Sequence, residues 1–224
     1  MGDTRRGPAQ ALHIEPRWPV ALAVLAAAFL LAILPDRVKM LPFWVPYVLV
    51  IALLVPMAAI MLSTAKERWL RIERTITLLF FVVAGSGMVA NLAQLIAEMV
   101  HRSGEIGGIQ LLTSSVAIWV NNVLTFSLLY WQIDRGGPEA RAANTGPKPD
   151  WLFPQEGARE DVPPDWRPTF VDYLFLGFST ATAFSPADTL PLTSRAKLLM
   201  MLQTTISLVT IVAVMSRAIN ILGS

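Results

Sequence analysis

"STATAFSPADTLPLTSR" (residues 179–195) separates two apolar stretches near the end of a 224-residue chain. It contains no glycine, one acid (Asp188) and two prolines, Pro186 and Pro191. If it is a plain turn, the apolar residues before it cross a membrane and the chain has six spans. If it is the return limb of a short helix that enters and leaves by the same side, there are five spans and a re-entrant loop.

The composition places the whole chain in a membrane. Mean hydropathy is +0.53 and only 15% of residues are charged, against about 25% in an average soluble domain. Cysteine is absent, so thiolate metal sites, cysteine nucleophiles and disulfides are excluded. Two histidines, His13 and His101, lie far apart in sequence, and no nucleophile–base pair or metal-ligand spacing stands out. No enzyme activity, cofactor or metal is expected. A net charge of +2 is too small to argue for nucleic acid. Lysine is confined to Lys39, Lys66, Lys148 and Lys197 while arginine is common, a bias of GC-rich genomes, and the expected site is a bacterial inner membrane.

A bilayer core about 30 Å thick needs about 20 largely apolar residues as helix. Spans are expected over 18–35, 41–63, 75–100, 106–131 and 198–222, with Trp18, Trp44, Trp69 and Trp131 at their ends, where interfacial tryptophans belong. Arg5, Arg6 and Arg17 precede the first span, and no small-residue cleavage pattern follows it, so it reads as a retained anchor. The chain thus divides into an N-terminal tail (1–17), a four-span bundle (18–132), a Pro-rich polar loop (133–168) and a last module (169–224). Residues 64–74 read as a basic amphipathic connector. The 133–168 loop, with seven prolines from Pro138 to Pro168, reads as extended and water-exposed, pinned to the membrane surface by Trp151, Phe153 and Trp166. Asp134 and Arg135 are expected to cap the fourth span.

Polar residues within the spans are spaced along single helical faces. Asn91, Gln94 and Glu98 follow one another by three and four in the third span, which puts them on one side. Asn121 sits on such a face in the fourth span, and Gln203 and Ser207 in the last. These residues are either glue between helices or the lining of a hydrated path or small-molecule pocket. Glu98, an acid inside a span, is paired, hydrated or functional.

From 170 to 222 the chain resembles the pore module of the potassium-channel superfamily, and more loosely a bacterial multi-span membrane family of unassigned function. Thr180-Ala181-Thr182 matches the T-A-T before the filter, Asp188 the acid that closes it, and Pro191 and Thr193 the P-x-T turn beyond, without a gap. The resemblance implies a pore helix (169–182), a filter-like loop (183–194), an inner helix (195–222) and a homo-oligomer, tetrameric if the module is a true pore. Thr180, Thr182, Ala183, Phe184, Ser185, Pro186, Ala187 and Asp188 are its filter-like residues.

The centre of the match departs from the family. A potassium filter replaces the ion's water with rings of backbone carbonyls, and its glycines give the backbone the freedom to aim them. Here those glycines are Ser185 and Ala187, with Pro186 between them; proline fixes its own φ and drives the preceding residue to an extended shape. Ala183 replaces the filter threonine and Phe184 the valine.

The fold expected is therefore all-α: five transmembrane helices plus a re-entrant pore-type helix and loop, or six transmembrane helices. The expected function is an ion-channel-like protein that passes monovalent cations with weak selectivity or not at all. The alternative is a non-conducting scaffold or a small-molecule transporter with a polar pocket among spans three to five. Loop charges place the N-terminus, 64–74 and 133–168 in the cytoplasm, so a re-entrant loop would enter from the opposite side to that of potassium channels.

Overall fold

Apolar runs of this length can satisfy their backbone polar groups within lipid only as helices, and helices make up most of the chain. The computed structural model describes residues 15–34, 42, 44–62, 66–101, 108–158, 160–164, 166–183 and 189–222. The helices are α1 (Trp18–Ile33), α2 (Val45–Leu62), α3 (Lys66–His101), α4 (Gly108–Ile133), α5 (Pro138–Ala143), α6 (Pro154–Gly157), α7 (Phe170–Ala183) and α8 (Ser194–Leu222). Two short strands, β1 (Trp151–Leu152) and β2 (Leu190–Pro191), pair antiparallel with Trp151 opposite Pro191.

Three stretches are long and apolar enough to cross a bilayer: Thr75–Ala97, Leu112–Gly136 and Ser194–Ala213. α1 is apolar but shorter, with 16 residues, about 24 Å at 1.5 Å per residue. The basic segment 64–74 is not a separate connector: from Lys66 onward it is the beginning of α3, a continuous helix of 36 residues.

α4 is the central helix, packed against α1, α3, α7 and α8. Polarity runs opposite to that of a soluble protein. α1 turns Val20, Ala23, Val24 and Ala27 inward while Trp18, Leu22, Leu25, Phe29 and Ile33 stay exposed. α8 exposes Leu198, Met201, Leu202, Leu208 and Val212, yet buries Gln203, Ser207 and Thr210 completely. An apolar exterior around a polar seam is what lipid selects, because the medium solvates hydrocarbon and cannot bond amides. The chain is an integral membrane protein.

The course of the last quarter follows from its contacts. α7 begins beside the C-terminal end of α4, where the Phe170 ring meets Trp131 edge-on with centroids 6.3 Å apart. It then runs antiparallel to α4, and by Phe178 its partner is Trp119, at 6.0 Å. By residues 189–193 the chain is back where it began, because β2 pairs with β1 and Thr193 bonds Asp150, whose own N–H bonds Asp134. α7, with 14 residues, is about 21 Å long.

Candidate functional site

Two layers hold this returning segment. The first is a polar seam where α4, α7 and α8 meet. Gln203, with no exposed surface, donates from Nε2 to the carbonyl of Gly177 at 2.8 Å and accepts from the Tyr130 hydroxyl at 2.7 Å. One side chain of α8 therefore ties α7 to α4. A turn further along, Asn122 donates to Ser207 Oγ at 2.7 Å and to the Gln203 carbonyl at 3.3 Å. The helices approach this closely because residue 177 is glycine: a Cβ there would lie 2.2 Å from Ser127 Oγ and 3.3 Å from the Val123 carbonyl. Ser127 donates to that same carbonyl at 2.7 Å, so its hydroxyl is satisfied where it crowds position 177.

The second layer is a polar headpiece over the same end of the bundle, built from residues 134–169. Asp134, fully buried, is its hub. Its carboxylate accepts from the Asp150 N–H at 2.7 Å and the Tyr173 hydroxyl at 2.5 Å, with Arg135 Nε 3.6 Å away. Arg141 donates to the carbonyls of Trp131 (2.6 Å) and Asp134 (3.0 Å). These belong to the acceptors that the C-terminal end of α4 leaves open, and a cation suits that end of the dipole. Its guanidinium lies 4.9 Å from the Tyr173 ring centroid and 5.9 Å from that of Trp131, which recovers part of the cost of burying it.

Asp150 carries the link across to α8. Thr193 donates to its carboxylate at 2.6 Å and, through the same oxygen, accepts from Ala196 N at 3.2 Å, so it caps α8 while holding the headpiece. Arg195 pairs with the same carboxylate. Thr169 and Asp172 cap α7: the N–H and hydroxyl of Thr169 donate to Asp172 at 2.7 and 2.8 Å. Glu15, just ahead of α1, accepts from the N–H of Phe170 and from Trp131 Nε1 (2.9 Å), with Arg141 at 3.8 Å. Burial lifts the Glu15 carboxyl above its ordinary 4.5; the bonds from Trp131 and Phe170 and the charge of Arg141 draw it back in part, and the charge of Asp172 adds to the rise.

The 133–168 segment, expected to be extended and water-exposed, keeps 143–148 and 160–164 largely exposed but is folded and anchored at Asp134, Arg141, Asp150, Trp151 and Phe153, which are buried. Trp151 and Phe153 do not pin it to the membrane surface. Trp151 is fully buried, its ring 4.7 Å from Tyr130 and its Nε1 3.2 Å from Met200 Sδ. Phe153 packs between Tyr173 and Trp166, at 5.2 and 6.3 Å. Asp134 and Arg135 do more than cap a helix: the first is the hub, and the second sits at φ 53°, ahead of Gly136 (83°) and Gly137 (103°), where the chain reverses. Proline and charge signal exposure only when the charges lack partners, and here Asp134, Arg141 and Asp150 find theirs in other parts of the chain.

The residues expected to line a path are dispersed. Thr180 is buried, its carbonyl 3.5 Å from Thr204 Oγ1 and its own hydroxyl without a partner among the described residues. Thr182 is exposed and donates to the Phe178 carbonyl at 2.8 Å. Ala183 ends α7; Phe184, Ser185, Pro186, Ala187 and Asp188 lie outside the described residues. Asn121 faces α1, donating to the Ala27 carbonyl at 3.0 Å and accepting from Thr125 at 3.0 Å, whereas Gln203 and Ser207 belong to the seam. Asn91 is buried and Gln94 half-buried on α3, and Glu98 lies on the same helix with its side chain outside the described set. The cleft between α3 and α8 is apolar, walled by Phe81, Met88, Val89, Phe126, Leu202 and Ile206. It does not bring Asn91, Asn121 and Gln203 together. Among the described residues no cluster of acids and histidines could hold a metal.

The seam residues Asn122, Tyr130, Ser127 and Gly177, and the headpiece residues Glu15, Arg141, Asp150 and Tyr173, are not singled out by the sequence. Comparison with protein-family models, with characterised proteins and with solved structures finds no match.

Proposed function

We propose that the chain is an ion-channel-like membrane protein of the pore-loop type, in which α4, α7 and α8 form one pore module of a homo-oligomer. On this reading α4 is the outer helix, α7 the re-entrant helix, α8 the inner helix, and α1, α2 and α3 complete five spans. The observation that carries it is the return of the chain: a 14-residue helix too short for a core about 30 Å thick, whose two flanks are tied to the same end of α4. The inner helix is bonded to the re-entrant helix at mid-height through Gln203 and Gly177, as a loop that must hold its shape in lipid requires. The T-A-T…D…P-x-T register supports the reading independently.

Monovalent cations are the expected permeant class, attracted by Asp188, without potassium selectivity because Ser185, Pro186 and Ala187 replace the residues that aim a carbonyl cage. The N-terminal end of α1, the headpiece and the start of α7 share one face, so the positive-inside rule puts the mouth of this loop on the cytoplasmic side. Purified protein in liposomes should pass Na⁺ and K⁺ at comparable rates, and Asp188→Asn should reduce both. Fluxes equal to those of empty vesicles would sink conduction and leave the scaffold reading. Single cysteines at 155 and 190, the latter exposed on β2, report the fold separately: both should be labelled from one side, and labelling from opposite sides excludes re-entrance.

A further inference from the structure

A cavity of about 170 Å³ opens in the headpiece, away from the seam. It far exceeds the ~10–15 Å³ that holds one water. Three arginines line it, Arg135, Arg141 and Arg167, together with Asn144 and the Gly146–Pro147 turn, and no acid among the described residues does. The frame is stiff. Arg135 holds a left-handed backbone at φ 53°, and Gly146 passes so close that a Cβ on it would fall 1.7 Å from the Arg135 carbonyl oxygen.

The charges are unevenly balanced. Arg135 pairs with Glu156 and lies near Asp134, and Arg141 faces Glu15 at 3.8 Å. Arg167 is exposed, anchored through Nη1 to the carbonyls of Arg141 and Ala142, and no carboxylate among the described residues pairs with it. Two guanidinium atoms in this wall, Arg135 Nε and Arg141 Nη2, are buried without a hydrogen bond among the described residues. Arg141 itself is only 5% exposed. A cavity whose described charged lining is all positive, with Arg167 at its rim facing no described carboxylate, is complementary to a small multivalent oxyanion. Arginine's planar fork suits two oxygens of such a group at once.

We propose that this cavity binds a phosphate group, contacted by Arg167 and held in the field of Arg135 and Arg141. The group is either free phosphate or the headgroup of an anionic phospholipid at the membrane face. The proposal does not depend on conduction. The test is binding to the full-length protein in detergent, read as the shift in thermal midpoint with inorganic phosphate against chloride at equal ionic strength. A second arm measures co-sedimentation with phosphatidylcholine vesicles with and without phosphatidic acid. Arg167→Ala should weaken binding about tenfold or more, while Lys197→Ala, which removes an exposed cation of α8 outside the cavity, should not. Response to inorganic phosphate assigns the free ion as the source, and response to phosphatidic acid alone assigns the lipid. No response in either arm, or equal losses in the two variants, overturns the proposal. Arg167→Lys, which keeps the charge and loses the fork, should fall between wild type and Arg167→Ala.

Discussion

The bond between Tyr130 and Gln203 lends itself to a thermodynamic cycle. Both residues have no exposed surface, their polar atoms are 2.7 Å apart, and the amide's other end holds the Gly177 carbonyl at 2.8 Å. Gln203→Met keeps the volume, so packing loss is small, but it breaks both bonds and strands a phenol hydroxyl that no water reaches. Polar bonds between membrane helices contribute about 0.6 kcal/mol on average and at most about 1.7; an orphaned buried hydroxyl costs about 1–3 kcal/mol. The single change should therefore cost about 2–4 kcal/mol, and Tyr130→Phe about 1–2 by orphaning the amide oxygen alone. Because both singles remove one shared bond, the double variant should be less destabilised than their sum, by about 0.6–1.7 kcal/mol. Reversible unfolding in mixed micelles, followed by far-ultraviolet circular dichroism, measures all four corners. Additivity within about 0.3 kcal/mol would refute the seam, since the two side chains would then act independently.

Gly177→Ala should destabilise by about 1–3 kcal/mol through overpacking, and adding Ser127→Ala, which removes the oxygen 2.2 Å from the new methyl, should restore most of it in the same unfolding assay. Asp134→Asn keeps the shape but removes the charge: its amide oxygen can still accept from the Asp150 N–H while its NH2 turns to donate to the Tyr173 hydroxyl, so two charge-assisted bonds become neutral ones; the expected loss is about 1–2 kcal/mol, seen as faster proteolytic cleavage within 138–168. Glu15 carries a pH signature: its folded carboxyl titrates above its unfolded value of 4.5, so the folded form binds the proton more tightly. Its share of stability is fully present below the unfolded value and falls as pH rises through the folded one. The thermal midpoint should show this decline on the alkaline side of about pH 4.5, and Glu15→Gln should remove it.

Helix limits were the legible part of this chain. The helices that the pore-module resemblance implies over 169–182 and 195–222 coincide with those at Phe170–Ala183 and Ser194–Leu222. Helix rotation was not legible. Asn121 and Asn122 are adjacent, yet one bonds the backbone of α1 and the other bonds α8; which of them joins the seam depends on where the neighbouring helices pack. The headpiece was misread for a related reason. Asp134, Arg141 and Asp150 look solvated until their partners, distributed from Glu15 to Arg195, converge on them. Residues 66–74, which read as an amphipathic connector, continue α3 without interruption, since a helix that outruns the bilayer can carry charge in its projecting turns.

The contact between Glu15 and the N–H of Phe170 spans 155 residues. At about 5–20 residues per second of synthesis, roughly 8–30 s pass between the birth of the carboxylate and the birth of its donor. Trp131 arrives earlier but satisfies one oxygen only. During that interval α1 through α4 can insert and pack, while the carboxylate at their common end stays partly unpaired. The start of α7 supplies the second donor, through the N–H of Phe170. The bond between Glu15 and Phe170 is therefore one that only a chain made as far as residue 170 can form.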